Sequence, residues 1–211
     1  MRFPPRSRVF VVDDDPSIRD AVRGLLASAG LRCEVFAATH EFLGAERLDA
    51  PACLVLDVRL AGMNGLDFAE QLSARGDQIP IVFISGVGTI PMSVRAIRGG
   101  AVEFLPKPVS DDALLSAVAQ ALARDDAARR RRAHDQALRI RFGKLTARER
   151  DVLSLVVAGR LNKQIAAQLG TAEQTVKQQR GRVMRKLEVQ SVADLVRLVV
   201  RYEAANPTKV S

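Results

Sequence analysis

Four short apolar runs in the first half of this 211-residue chain each lead to a residue that can handle charge. Arg8–Val12 runs into Asp13-Asp14-Asp15, and Leu54-Val55-Leu56 ends on Asp57. Ile81–Ile84 stops at Ser85-Gly86, and Val102–Leu105 leads to Lys107-Pro108. Apolar runs of about four to eight residues bounded by turn signals read as buried strands of a parallel sheet. Ligands of such sheets sit beyond the carboxyl ends of the strands, so carboxylates, a hydroxyl and an ammonium converge on one edge. Asp13 and Asp14 near Asp57 would repel one another unless a divalent cation sits among them. Mg2+ is a hard cation suited to one or two carboxylates plus a phosphoryl group. Asp57 could then act as a carboxylate nucleophile toward phosphorus. Lys107 would neutralise phosphoryl oxygens, and the Ser85 hydroxyl would hydrogen-bond one of them. Singly, each has a plain structural explanation, Asp13-Asp14 as a helix cap and Lys107 as a surface lysine. At successive strand ends, together, they point to phosphoryl transfer.

The elements that must position these groups alternate. After the first strand, Asp15 or Ser17 can cap a helix whose stripe is Ile18, Val22, Leu25 and Leu26, with Gly30 as its stop. A strand over 32–36, a helix around Glu41 to Leu48, the Asp57 strand, a loop over 58–64 and a helix over 65–74 follow. The fourth strand leads through Gly86-Val87-Gly88 to a helix over about 91–98, stopped by Gly99-Gly100. The fifth strand and a helix capped by Ser110-Asp111-Asp112 complete the unit. Five strands alternating with five helices call for an α/β, doubly wound, five-stranded parallel sheet covered on both faces. No GxGxxG stands in the chain, so a dinucleotide fold is unsupported.

From Asp112 to about Arg141 there is neither Pro nor Gly, and Ala, Leu and Arg dominate. Leu114, Leu115, Val118 and Leu122 suit packing on the sheet, whereas Arg129-Arg130-Arg131-Arg132 cannot be buried. One helix leaving the first unit as a charged linker is expected, reaching about 45 Å if unbroken over about 30 residues. The arginine run reads as a solvated face, a nucleic-acid backbone contact or a partner for the acidic first half.

Beyond the linker, Thr146-Ala147-Arg148-Glu149 and Thr171-Ala172-Glu173-Gln174 read as two capping boxes that open helices. Between them Asn162 starts a short helix closed by Gly170, the layout of a helix-turn-helix in an all-α domain. Val176, Val183 and Leu187 mark the buried stripe of its second helix; Lys177, Gln178, Gly181, Arg182 and Arg185 lie opposite. Lys can bond guanine edges and Gln adenine edges, while Arg and Thr can hold phosphates. A helical protein-docking module is the competing reading. A last helix, Ser191 to about Tyr202, offers Val192, Leu195, Leu198 and Val199 to a core or a partner helix.

Charge separates the halves. Residues 1–123 carry 12 Lys/Arg against 15 Asp/Glu, and residues 124–211 carry 20 against 9. A basic second half implies a different partner from the first, with nucleic acid the natural one. With two cysteines, Cys33 and Cys53, both in expected strands, and two histidines, a disulfide or zinc site has no good ligand set. The start, Met1-Arg2-Phe3-Pro4-Pro5-Arg6, lacks the apolar core of a signal peptide, and no apolar run approaches the roughly 20 residues of a membrane span. A cytoplasmic protein without membrane contact is expected.

Residues 8 to about 122 resemble the receiver domain of bacterial response regulators. The resemblance rests on Val12-Asp13-Asp14-Asp15, Leu56-Asp57-Val58-Arg59-Leu60, Gly62-Met63-Asn64-Gly65, Ser85-Gly86 and Lys107-Pro108. It implies a CheY-like, flavodoxin-like fold in which Asp57 accepts a phosphoryl group from a histidine kinase. It implies Mg2+ (or Mn2+) held by Asp13, Asp14, Asp57 and the backbone carbonyl of Arg59. Lys107 and Ser85 assist, Ser85 and Phe104 switch, and the Lys107–Pro108 peptide is cis. Ala61 stands where the family often has Pro, and Ser85 where Thr is commoner. Residues 145–200 resemble the LuxR/FixJ-type DNA-binding domain on Leu145-Thr146, Arg148-Glu149, Val152-Leu153, Asn162-Lys163, Ile165-Ala166, Thr175-Val176-Lys177 and Arg185-Lys186-Leu187. It implies Lys177 and Gln178 as base readers, with Asn162, Lys163, Thr175, Arg182 and Arg185 on the DNA backbone. Gly181 and Gln179 depart from its usual residues.

Taken together, the resemblance implies a FixJ-type two-component transcription factor: receiver 1–122, helical charged linker 123–143, DNA-binding domain 144–211. Phosphorylation at Asp57 would promote homodimer formation and promoter binding, with RNA polymerase a further partner. The receiver would catalyse only its own Mg-dependent phosphoryl transfer and dephosphorylation and would be no enzyme otherwise. A phosphatase with an aspartyl-phosphate intermediate and a regulator binding DNA without phosphorylation are the competing classes.

Overall fold

The computed structural model describes residues 3–86 and 89–206. Val87-Gly88 and the ends of the chain lie outside the described residues. The elements are β1 (Arg8–Val12), α1 (Pro16–Ser28), β2 (Arg32–Phe36), α2 (Thr39–Leu43), β3 (Ala52–Asp57), β4 (Arg59–Leu60), β5 (Met63–Asn64) and α3 (Gly65–Ala74). They continue with β6 (Ile81–Ser85), α4 (Ile90–Arg98), β7 (Glu103–Pro106), α5 (Asp111–Gly143), α6 (Ala147–Val157), α7 (Asn162–Leu169), α8 (Glu173–Lys186) and α9 (Val192–Ala205). Two compact units result, Met1–Arg130 and Arg131–Ser211, with α5 crossing the boundary between them.

In the first unit the five main strands pair in parallel in the order β2-β1-β3-β6-β7. Alternate residues of each strand face opposite sides. Val9, Val11, Cys53, Val55, Val82 and Ile84 meet α1 and α5 through Val22, Leu26, Leu114, Val118 and Leu122. Phe10, Val12, Leu54, Leu56 and Phe83 meet the other helices through Phe42, Leu66, Phe68, Leu72 and Ala96. Both sheet faces are thus covered. The chain runs from β1 to β2 on one side and returns to β3 on the other, so a crevice opens where the carboxyl ends of β1 and β3 diverge.

Local chemistry sets the helix ends. Asp15 caps α1, accepting from the Ser17 amide at 2.8 Å and its hydroxyl at 2.6 Å, and Pro16 sits where a missing N–H costs nothing. The helix expected around 41–48 is shorter, Thr39–Leu43. Gly44 closes it onto the carbonyls of His40 and Glu41, and fully buried Phe42, edge-on to Phe10, Phe36 and Phe68, is its anchor. The loop expected over 58–64 holds an antiparallel pair, Arg59 opposite Asn64 and Leu60 opposite Met63, turned by Gly62 at φ 84°.

Asp125 of α5 is buried and accepts from the Ala52 amide at 2.9 Å, fixing the helix to the first residue of β3. Arg129 bonds Asp125 at 2.6 Å and Asp49 at 2.7 Å, and Arg130 bonds Asp126 at 2.9 Å. The first two arginines of the run are therefore held by acidic residues of the first unit.

In the second unit Phe142, Leu145, Val152, Leu153, Val156, Ile165, Val176, Val183, Leu187, Leu195 and Val199 form one core. Phe142 stacks on Tyr202 with ring centroids 3.8 Å apart. Thr146 and Glu149 make the expected capping box at the start of α6. The second expected box is not made. α8 starts at Glu173 behind Ala172, whose methyl group accepts nothing, and Thr171 instead donates its amide to the Ala166 carbonyl as the chain leaves α7. Gly170, at φ 60°, supplies the left-handed turn between α7 and α8, and that geometry decides where the next helix can begin.

Candidate functional site

Asp13 follows the last residue of β1, and Asp57 is the last residue of β3, the neighbouring strand. Lys107, after β7, reaches both: its Nζ lies 2.7 Å from Asp13 Oδ2 and 3.4 Å from Asp57 Oδ2. Asp13 is fully buried, its Oδ1 accepts from the Asp15 amide at 2.9 Å, and its carbonyl takes Arg19 at 2.7 Å. Asp14 is exposed, and carboxylate oxygens of Asp13, Asp14 and Asp57 lie within 4.8 Å of one another. Among the described residues Asp57 Oδ1 is buried without a hydrogen-bond partner. A desolvated anionic oxygen in that position is costly unless something binds it.

The electrostatics follow. Burial, and then the Asp13 charge, raise the Asp57 pKa above the ordinary carboxylate value; Lys107 and the Arg59 backbone amide only partly oppose them. Burial works against the Lys107 ammonium, but its hydrogen bond and charge contacts with Asp13, and then Asp57, outweigh it and raise its pKa. Lys107 stays charged at neutral pH, facing two carboxylates.

The loop between β3 and α3 is pinned against the Asp57 backbone. Asn64 caps α3 by accepting from Leu66 at 2.8 Å, and Gly65 donates to the Val58 carbonyl at 2.8 Å. A Cβ on Gly65 would lie 2.2 Å from the Asp57 carbonyl oxygen, so only glycine fits there. Arg59 opens β4 beside this contact. Ser85, fully buried, ends β6 one residue beyond Ile84, the register partner of Asp57, and its carbonyl accepts the Lys107 amide at 2.8 Å. The Lys107–Pro108 peptide is cis. Phe104 is half-buried, opposite Phe83 with ring centroids 6.3 Å apart.

The second unit presents a separate surface. On α8, Lys177, Gln178, Gly181, Arg182 and Arg185 are exposed, opposite buried Val176 and Val183. Thr175 is half-buried near the start of α8, Lys163 is exposed in the first turn of α7, and Asn162 is half-buried beside it. Arg148 donates to the Leu169 carbonyl at the end of α7, bracing the turn from behind. Lys186 binds buried Glu149 at 2.6 Å and the Lys144 carbonyl at 3.0 Å, holding the end of α8 to α6. Burial works against the Glu149 carboxylate, but Lys186 and the Thr146 amide prevail and lower its pKa.

Sequence reasoning missed Arg180. It stands four residues after Val176 and three before Val183, on the buried stripe, and its Nη1 donates to Asn162 Oδ1 at 3.1 Å. The spacing was a usable signal, since a cation on a buried stripe must find an acceptor.

Residues 9–119 match the family described as the response regulator receiver domain. Residues 143–199 match the bacterial regulatory proteins of the luxR family. This chain belongs to the response regulators. Among curated relatives, nodulation protein W of Bradyrhizobium diazoefficiens is 47% identical over 90% of this chain and 84% of its own. Among solved structures, the response regulator StyR is 49% identical with a TM-score of 0.87, covering 93% of this chain and 99% of that one. Full-length FixJ from B. japonicum is 34% identical with a TM-score of 0.56, over 93% and 97%. The fold is that of a CheY-like receiver followed by a helical DNA-binding domain, as expected, and the response regulator is a two-component transcription regulator of the FixJ kind. Among the described residues no helix is long and apolar enough to cross a membrane.

Proposed function

We propose that this response regulator accepts a phosphoryl group on Asp57 from a histidine kinase and, so charged, pairs with a second copy to bind promoter DNA. The single observation that carries the reading is the buried, unpartnered Asp57 Oδ1 at a strand end, with the Lys107 ammonium against the other oxygen of the same carboxylate. Asp57 attacks phosphorus, an O–P bond forms, the P–N bond to the donor imidazole breaks, and the imidazole leaves with a proton. Lys107 neutralises charge on the phosphoryl oxygens, and the Ser85 hydroxyl hydrogen-bonds one of them.

Asp13, Asp14, Asp57 and the Arg59 carbonyl are the residues that would hold Mg2+, and their hard oxygen donors and the orphaned Asp57 oxygen fit it. When bound, the ion screens the carboxylates from one another and from the incoming phosphoryl group. Ser85 drawn toward the new charge makes room for Phe104 to turn inward, biasing a two-state equilibrium of the face built by α4, β7 and α5. That face carries exposed Ile90, Val94 and Ile97 along one side of α4, apolar surface suited to a self-complementary contact. In the second unit Lys177 and Gln178 read base edges, and Asn162, Lys163, Thr175, Arg182 and Arg185 hold phosphates. RNA polymerase is the downstream partner, the cytoplasm the place of action, and the chemistry ends with the receiver's own dephosphorylation.

The test is mass spectrometry after incubation with acetyl phosphate and Mg2+. Wild type gains one phosphoryl mass and Asp57→Asn gains none; label persisting in Asp57→Asn, or none in wild type, would overturn the reading.

A further inference from the structure

We infer that Arg180 is a positioning residue for DNA binding: it fixes the Asn162 amide so that its NH2 group is presented to a phosphate. This rests on the DNA-binding reading of the second unit. Arg180 lies on the stripe of α8 between buried Val176 and Val183, and its half-buried stem brings the guanidinium to the first residue of α7. The bond from its Nη1 to Asn162 Oδ1, 3.1 Å long, joins the two helices of the helix-turn-helix across 18 residues of sequence.

The chemistry of the pair is one-directional. A guanidinium has five donors and no acceptor, so only the oxygen of an Asn amide can face it. In a planar amide the nitrogen then points away from Arg180. A free asparagine presents oxygen and nitrogen alternately, and its oxygen repels a phosphate. With Arg180 in place the Asn162 oxygen is turned to the guanidinium and the NH2 group is left to meet a phosphate. Exposed Lys163 next to it and exposed Lys177 and Arg182 on α8 supply the positive field. Gln179, beside Arg180, keeps its Oε1 buried and, among the described residues, without a partner. It offers the guanidinium no competing acceptor bond.

A neutral Asn contact releases no counterion, so the salt dependence separates this role from a direct phosphate contact by Arg180. The direct contact would flatten the slope of log affinity against log salt by about 0.9 when removed. The experiment uses full-length protein, treated with acetyl phosphate and Mg2+, on a mixed-sequence duplex of about 30 base pairs at several salt concentrations. Arg180→Ala and Asn162→Ala each weaken binding by about tenfold or more, the worth of one hydrogen bond to a charged partner. The double variant is no weaker than either single one, and the salt slope is unchanged. Arg180→Lys, which keeps the stem and a donor, recovers part of the affinity, and thermal unfolding of the second unit separates folding from binding. Additive losses, a flattened slope, or undiminished binding by folded Arg180→Ala would each overturn the inference. Wild type that failed to bind the duplex at all would bring down the DNA-binding reading and this inference with it.

Discussion

Asp57 is the residue on which the chemistry turns, and its surroundings make a prediction independent of any phosphoryl donor. Because burial and the Asp13 charge raise its pKa in the folded protein, the native state holds its proton to a higher pH than the unfolded chain does. Stability therefore falls as pH rises through that raised value. Once ionised, the carboxylate, with one oxygen unpartnered among the described residues, is a cost to the fold. In the presence of a chelator, Asp57→Asn should raise the melting temperature at neutral pH, and the gap should close as pH falls toward the ordinary carboxylate range. Calorimetry across pH checks this; an equal or lower melting temperature at neutral pH would contradict it. The identity of this residue was legible in the sequence because a carboxylate ending an apolar run is a local pattern. The orphaned oxygen was not legible, since it depends on where Lys107, 50 residues away in sequence, chooses to bond. Lys107 sits closer to Asp13 than to Asp57, leaving the nucleophile the less satisfied of the two carboxylates.

At the scale of elements, the two expected capping boxes give the sharpest contrast. Thr146 accepts from the Glu149 amide, and Glu149 returns the bond to the Thr146 amide at 2.8 Å. Thr171 has the same sequence pattern, yet α8 begins at Glu173 behind Ala172. Thr146→Ala should cost the second unit about 1 kcal/mol, the usual worth of an N-cap, and Thr171→Ala much less. Chemical denaturation of the two variants decides it; equal losses would mean that Thr171 does cap α8. The reason lies in the preceding turn. Gly170 in the left-handed region commits Thr171 to bonding back onto α7, so the motif is spent before the helix starts. The short α2 is a similar case, where a buried phenylalanine and a glycine override a longer helical pattern. Asp125 shows the reverse: a carboxylate four residues before the arginine run turns inward to hold the first amide of the Asp57 strand.

For the molecule as a whole, charge is the property that the fold inherits most directly. The acidic excess of residues 1–123 and the basic excess of 124–211 fall on different units. Lys163, Lys177, Arg182 and Arg185 are all exposed. If Lys163, Arg182 and Arg185 neutralise phosphates, log affinity should fall against log salt with a slope of about −3 for each DNA-bound copy. Titration of a labelled duplex at several salt concentrations measures it, and a slope near zero would rule out backbone contacts by these residues.

Composition, the period of the apolar positions and the residues at strand ends by themselves determined a parallel α/β unit, a helical basic unit and the cluster around Asp57. Each strand end and each apolar stripe behind it is written within a few neighbouring residues. Only the tertiary structure decided which oxygen of Asp57 is left open, that Gly65 must lack a side chain to admit the Asp57 carbonyl, that Asp125 grips β3 and that Arg180 grips Asn162. Those are contacts between residues far apart in the chain. Their partners are chosen by packing and by the cost of leaving a buried polar group unpaired, and no local pattern encodes that choice.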